Sequence, residues 1–312
     1  MATKVNIFSG RASRYLAEKI CDVYGKKPGE VIVAEYSDGE FQPSFEDNIR
    51  GDDVFIIQST FPPAENMLEL LMLIDAAKRA SARKIIAVIP YFGFARQDRK
   101  DKPRVSIASK LIANLLSAAG VSRVITLDLH ADQIQGFFDV PVDHLYASQV
   151  FIPYLRELNL PNLTIASPDS GGTRRAAAYA KILHTDMVIC YKQRSKPNEI
   201  ADITLLGDVE GRDVVLVDDI IDTGGTITKA AELIMKNGAS SVRAFATHAV
   251  LSGGAYEVIE KSVFDEVVFT DTIPVKKECE KITVLTAANL LADVIKRVHK
   301  YKSISSLFQF DE

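Results

Sequence analysis

Tryptophan is absent and cysteine is scarce: Cys21, Cys190 and Cys279 are the only three, far apart in the chain. With no Cys-x-x-Cys pair and an odd count, neither a disulfide framework nor a structural zinc site is indicated, and a reducing compartment fits best. No apolar run approaches the roughly 18 residues of a membrane span. The first ten residues carry one Lys and no apolar core of signal-peptide length. A cytoplasmic protein without membrane partners is therefore expected. Positive charge is not in excess either. The 37 Lys and Arg stand against 41 Asp and Glu, for a formal charge of −4. The basic surface on which a dedicated nucleic-acid binder draws is thus missing, although one basic loop suffices for a small anionic ligand. Neither Gly-x-x-x-x-Gly-Lys-Ser/Thr nor Gly-x-Gly-x-x-Gly occurs. Any nucleoside triphosphate must then be met by basic side chains and metal rather than by a P-loop.

What is present is a regular alternation. Short apolar runs at 4–9, 31–36, 54–58, 85–90, 124–128, 163–166, 187–191, 214–218, 242–247 and 267–270 alternate with longer segments. Of those segments, 65–80, 107–119, 226–237 and 289–300 have apolar residues at helical spacing. This is the pattern of an α/β protein with mainly parallel sheets flanked by helices. A faint repeat divides the chain. Asp53-Val54-Phe55-Ile56-Ile57, a helix, Ala80-Ser81 and a strand recur as Asp213-Val214-Val215-Leu216-Val217, a helix, Ala239-Ser240 and a strand. Two related domains are expected, 1–147 and 148–312, joined where Pro153 and Pro161 bracket a short helix. The first copy is longer: 39 positions separate Ile85 from Val124, against 25 between Val242 and Val267. The charged stretch 96–104 lies in that insertion.

Ligands of open parallel sheets bind beyond the carboxyl ends of the strands, so the polar residues after each apolar run carry the chemistry. In Val217-Asp218-Asp219-Ile220-Ile221-Asp222-Thr223-Gly224-Gly225-Thr226 a strand delivers two carboxylates and turns through two glycines into a helix. Free N–H groups and a positive dipole end at a helix start suit a phosphate, and glycine lets the backbone come close. Carboxylates beside such a cradle point to a ligand with hydroxyls as well as phosphate, a sugar phosphate. The plainer alternative is a capped strand–helix turn. At Asp128-Leu129-His130-Ala131, His130 can offer a nitrogen to a divalent metal or be a hydrogen-bonded structural imidazole. At Ser167-Pro168-Asp169-Ser170-Gly171-Gly172, Asp169 can reach the same metal or cap the next helix. Residues 96–104 hold five basic and two acidic side chains. That balance suits a polyphosphate, or a merely solvated loop.

The acidic loop 217–226 resembles the phosphoribosyl-pyrophosphate loop of phosphoribosyltransferases and of ribose-phosphate pyrophosphokinases. Three further words select between them: Tyr36-Ser37-Asp38-Gly39-Glu40, Ala95-Arg96-Gln97-Asp98-Arg99, and Asp128-Leu129-His130-Ala131 followed by Gln133-Ile134-Gln135-Gly136-Phe137-Phe138. With these, the chain from Phe8 to Phe308 resembles the ribose-phosphate pyrophosphokinase (phosphoribosyl-diphosphate synthetase) family. The loop after Lys102 comes close to the phosphate-activated class.

The resemblance implies two tandem phosphoribosyltransferase-like domains. It implies a Mg2+-dependent enzyme of nucleotide biosynthesis that transfers the β,γ-diphosphate of ATP to the 1-hydroxyl of ribose 5-phosphate. By the same resemblance Asp222, Thr223, Gly224, Gly225 and Thr226 hold the 5-phosphate, and Asp218, Asp219 and Arg194 hold the ribose. Arg96 and Gln97 contact ATP. Tyr36, Asp38, Gly39 and Glu40 form an adenine loop that reaches in from a neighbouring subunit. His130 and Asp169 match magnesium-site residues, and Lys192 and Arg194 a catalytic basic pair. Inorganic phosphate is the implied activator, at a site built from Arg50, Ser81, Arg104, Ser303, Ser305 and Phe308. A homo-oligomer, commonly a hexamer, is implied too. Three positions depart from the family pattern: Tyr36 replaces a frequent Phe, Ser170 an occasional His, and Gln193 a frequent basic residue. The competing readings are a phosphoribosyltransferase, which leaves 96–104 and 128–130 unexplained, and a catalytically silent regulatory subunit, against which the intact Lys192, Arg194, His130 and Asp169 argue.

Overall fold

The structure is a computed structural model and describes residues 3–193 and 202–307, the side chains of 192, 193, 202 and 203 excepted. The chain forms two compact units. In the first, β1 (Val5–Ser9) leads to α1 (Arg14–Tyr24), then to a hairpin of β2 (Val31–Glu35) and β3 (Phe41–Phe45). There follow β4 (Asp53–Ile57), α2 (Glu65–Arg79), β5 (Lys84–Ile89), α3 (Ala108–Ala119), β6 (Arg123–Leu127) and β7 (Val142–Leu145). The main sheet has the order β1-β4-β5-β6-β7 and is parallel throughout. All five residues of β4 are buried, as expected of an unbroken apolar run covered on both faces. Helix α1 turns Leu16, Ala17, Ile20 and Cys21 inward and stops at Gly25. That glycine, at φ 84, returns its N–H to the carbonyls of Cys21 and Asp22.

The second unit begins with α4 (Ser148–Glu157), followed by β8 (Leu163–Ser167), α5 (Thr173–Leu183) and the hairpin of β9 (Asp186–Gln193) and β10 (Asp202–Leu206). It continues through β11 (Asp213–Ile221), α6 (Gly225–Lys236), β12 (Ser241–Ala249), α7 (Ala255–Glu260), β13 (Glu266–Thr270) and β14 (Ile282–Leu285). Its sheet runs β10-β9-β8-β11-β12-β13-β14, with β10 alone antiparallel to its neighbour among the described strands.

Without its hairpin this order repeats β1-β4-β5-β6-β7 strand for strand, so the sequence repeat corresponds to a repeat of topology. Both units insert a hairpin at the same point, after the helix that follows their first strand. The extra length of the first copy goes into the loop after β5 and into α3, twelve residues long where α7 has six.

Two expectations need correction. Pro153 does not bound the junction helix but lies inside α4, where it removes a single N–H donor from the ladder. The segment from Ala288, expected with the second domain, belongs to the first unit. There α8 (Ala288–His299) packs on α1, because six of its twelve residues form a buried face that α1 can cover. Its end is tied down by charge. His299 Nδ1 lies 3.0 Å from Asp53 Oδ2, and Arg83 reaches the same oxygen at 2.6 Å. The hydroxyl of Tyr301 meets both Arg83 and Lys84.

Leu291 in α8 is fully buried. Truncation by Leu291→Ala is expected to cost about 2–5 kcal/mol of stability, measured as a lowered midpoint in urea denaturation.

Candidate active site

In the first unit the loop after β5 is fixed by a close backbone approach. Gly93 donates its N–H to Thr60 Oγ1 at 2.7 Å, and a Cβ at Gly93 would lie 2.1 Å from the Thr60 carbonyl oxygen. Phe92 packs edge-on against Phe138, with ring centroids 5.7 Å apart. At its far end the loop is held by Ser109, whose N–H and hydroxyl both donate to the Gln97 carbonyl. Between these anchors the charged stretch lines a cleft of about 540 Å³ with Arg96, Gln97, Arg99, Lys102 and His130 on its walls. Arg104 takes φ +65 and is not among the residues lining it.

His130 reaches this cleft from the next strand end. Asp128, buried at the end of β6, has φ +39, a conformation that side chains disfavour and that clusters at functional sites. The turn is held by its backbone: the Asp128 N–H donates to the Leu145 carbonyl, and the Leu129 N–H to Nε2 of buried His144 at 2.9 Å. His130 itself is exposed. The loop 36–40 closes the β2–β3 hairpin, where Gly39 adopts φ +93 and the Tyr36 hydroxyl donates to Gln42 Oε1 at 2.9 Å.

In the second unit β11 carries Asp218 and Asp219 within the strand, which runs to Ile221 rather than ending at Asp218. Asp222 is held by Ser252, whose hydroxyl and N–H donate to the Asp222 carboxylate and carbonyl. Gly224 then turns the chain at φ 79, and α6 starts with no side-chain cap. Its first N–H groups therefore point outward from a positive dipole end, the arrangement that binds phosphate.

Asp219 is almost fully buried. Arg175, at the start of α5, approaches Asp219 Oδ1 at 3.1 Å and Asp218 Oδ1 at 3.4 Å. Burial and the adjacent Asp219 carboxylate push the Asp218 carboxyl well above the usual carboxylate range, and Arg175 pulls it part of the way back. Asp169 folds the turn that leads into α5: its Oδ1 accepts the N–H groups of Gly171 and Gly172 at 2.8 and 3.0 Å. No hydrogen bond to its other oxygen is recorded among the described residues.

Among the described residues no three His, Cys, Asp or Glu side chains gather into a metal cage. The Lys192 side chain and Arg194 lie outside the described residues, as does Phe308. Of the remaining regulatory candidates, Arg50 Nη1 meets the Ser81 hydroxyl at 3.3 Å, and the Ser303 and Ser305 hydroxyls are 3.0 Å apart.

Residues 5–120 match the family model for the N-terminal domain of ribose phosphate pyrophosphokinase, and 188–309 that for the phosphoribosyl synthetase-associated domain. The ribose-phosphate pyrophosphokinase of Porphyromonas gingivalis is 59% identical over 306 residues, which is 98% of either chain. The chain belongs to the ribose-phosphate pyrophosphokinase family. The enzyme of that name from Wolinella succinogenes is 53% identical over 97% of this chain and 98% of its own. The crystal structure of phosphoribosylpyrophosphate synthetase from Mycobacterium smegmatis matches with a TM-score of 0.91 at 37% identity, over 96% of this chain and all of that one. The protein is thus an enzyme of the pyrophosphokinase family, with two phosphoribosyltransferase-like domains.

Sequence reasoning missed one residue of this candidate site, Arg175. Its signal was the basic pair Arg174-Arg175 directly behind the Asp169 turn. Arg175→Gln removes the cation that opposes the raised Asp218 pKa. On the expectation that ionised Asp218 accepts a ribose hydroxyl, activity falls as pH drops through its pKa, and the variant moves that fall to higher pH. The expected readout is a displaced acid limb of kcat/KM for ribose 5-phosphate, with KM raised about tenfold.

Proposed function

We propose that the enzyme transfers the β,γ-diphosphate of ATP to the 1-hydroxyl of ribose 5-phosphate, giving 5-phosphoribosyl 1-diphosphate and AMP for nucleotide biosynthesis. The observation that carries this reading is the uncapped start of α6 behind a largely enclosed carboxylate pair, in a chain of the pyrophosphokinase family. The N–H groups at the start of α6 take the 5-phosphate, flanked by Asp222, Thr223, Gly224, Gly225 and Thr226. Asp218 and Asp219, oriented by Arg175, accept the ribose hydroxyls, and Arg194 shares in holding the ribose. In the first unit Arg96 and Gln97 meet the ATP phosphates, and the loop 36–40 of a neighbouring subunit meets the adenine.

In the transfer, O1 of the sugar attacks Pβ of ATP. A bond between O1 and Pβ forms while the bond from Pβ to the oxygen bridging to Pα breaks. AMP leaves with that oxygen, and the hydroxyl proton is released. Such a reaction asks for alignment and for positive charge where the transferring oxygens become more negative. Lys192 and Arg194 supply that charge. His130 and Asp169 are the residues for Mg2+, which when bound neutralises phosphate oxygens. Taken singly, each donor suits this ion: His130 is exposed, one Asp169 oxygen is engaged by the turn before α5 while the other has no hydrogen bond among the described residues, and magnesium retains waters and phosphate oxygens rather than needing a protein cage.

The same reading takes inorganic phosphate as activator at Arg50, Ser81, Arg104, Ser303, Ser305 and Phe308, supported by the Arg50–Ser81 and Ser303–Ser305 contacts. It includes a homo-oligomer, a hexamer, in the cytoplasm. Free cysteines, two of them buried with their thiol pKa pushed up to about 11, suit a reducing setting, and among the described residues no helix is long and apolar enough to cross a membrane.

The deciding assay follows AMP and 5-phosphoribosyl 1-diphosphate formed from ATP, ribose 5-phosphate and Mg2+, with and without phosphate. Lys192→Ala is expected to lower turnover by roughly 10²-fold or more while the KM for ATP stays within a few-fold. Unchanged turnover would remove Lys192 from the mechanism, and no product from the wild type would overturn the reading. Arg50→Ala and Ser305→Ala are expected to abolish the phosphate response and leave the phosphate-independent rate in place, read from phosphate titrations of the same assay.

A further inference from the structure

The hairpin that carries the loop 36–40 is a sheet of two strands only, separate from the five-stranded sheet of its unit. Two strands alone are marginal in water, so the hairpin takes its position from what it is fastened to. At the end away from the loop the fastening is apolar: Phe45 packs edge-on against Phe8 of β1, with ring centroids 4.6 Å apart. At the loop end it is ionic, and one residue provides it.

That residue is Arg11. The chain leaves β1 through Gly10, where a Cβ would collide with Gln58 at 2.5 Å, and this tight exit delivers Arg11 against α2. There Glu69, 1% exposed, accepts the Arg11 N–H at 2.7 Å and Nε at 2.9 Å. A buried carboxylate holding both the backbone and the guanidinium of one residue fixes that guanidinium in space. Its free edge turns to the hairpin. Nη1 donates to Glu35, and the guanidinium carbon sits 5.0 Å from the centroid of the Phe41 ring. Glu35 and Phe41 are the cross-strand pair on which the hairpin closes. They are also the residues on either side of the loop 36–40. One rigid cation therefore grips both ends of that loop. Within the loop the Tyr36 N–H donates to the Glu40 carbonyl and the Gly39 N–H to the Tyr36 carbonyl, so it moves as a preformed piece.

We infer that Arg11 is a positioning residue that sets the nucleobase loop and with it the preference for adenine. This rests on the reading of 36–40 as the adenine loop. Arg11 does not line the cleft at Arg96 and makes its contacts on α2 and the hairpin, so its influence falls on nucleotide recognition and not on the sugar or the transfer.

The test separates the clamp from the buried ion pair. Removing Arg11 alone strands the Glu69 carboxylate and endangers folding, so the informative variants are Glu35→Gln with Phe41→Leu, which leave Arg11–Glu69 intact, and Arg11→Ala combined with Glu69→Gln. In the full-length enzyme at unchanged melting temperature, both double variants are expected to raise the KM for ATP about fivefold or more and to narrow the ATP-over-GTP ratio of kcat/KM. The kcat and the KM for ribose 5-phosphate should stay at wild-type values. Tyr36→Ala serves as the control for the loop itself. If it raises the KM for ATP while both clamp variants leave it unchanged, the role of Arg11 is overturned and the loop reading stands. If Tyr36→Ala leaves the KM for ATP and the GTP ratio untouched, the loop reading fails and the inference with it.

Discussion

Parallel pairing is the constraint on which the rest of this molecule depends. A strand that must lie parallel to its neighbour sends the chain back across a face of the sheet, so in each unit all the strand ends of one sense collect along one edge. The residues there cannot be buried in the sheet and cannot all find backbone partners. Arg96, His130, Asp169 and the stretch from Asp222 to Thr226 all follow apolar strands for that reason, and Asp218 and Asp219 lie near the end of β11. The chemistry is gathered by strand direction before any side chain makes a contact.

At the second unit's edge that gathering has an electrostatic cost. Two carboxylates, one of them almost wholly buried, lie within reach of the Arg175 guanidinium, and burial together with the neighbouring carboxylate raises the Asp218 pKa. Arg175 lowers the cost without cancelling it. A ligand that brings hydroxyl donors to the pair relieves the remainder, and the outward N–H groups of α6 attend to its anionic end. On the proposed reading sugar and phosphate are met by opposite signs of charge a few residues apart on one connection, an arrangement suited to a molecule that carries both groups in that order.

Much of this could be read from the chain because it is written locally. β4 and β11 are unbroken apolar runs, and their packing between helix layers needs no more than that. The ligand-edge words keep their residues consecutive, so the acidic loop and the basic stretch were visible as strings. What escaped was either weakly apolar or remote in sequence. β14 is four residues long with no fully buried side chain, β7 equally short, and the stripe of α5 is made largely of alanine. The docking of α8 on α1 joins residues nearly the whole chain apart, and no local pattern announces its partner. Arg175 and Arg11 escaped for a related reason: each works through carboxylates far along the chain, so its role is a geometric fact and not a motif.

The placement of α8 has a consequence for how the molecule is made. The surface of α1 is synthesised before the second unit, and the helix that covers it after. The second unit, continuous from Ala147 to Ala287, has all its strands before that helix exists. During synthesis the earlier unit therefore waits, with an apolar face uncovered, while the later one has everything it needs to close. The unit begun first is the one finished last, and a ribosome that stalls anywhere before α8 leaves a chain with a sticky amino-terminal half, the half that quality control would meet.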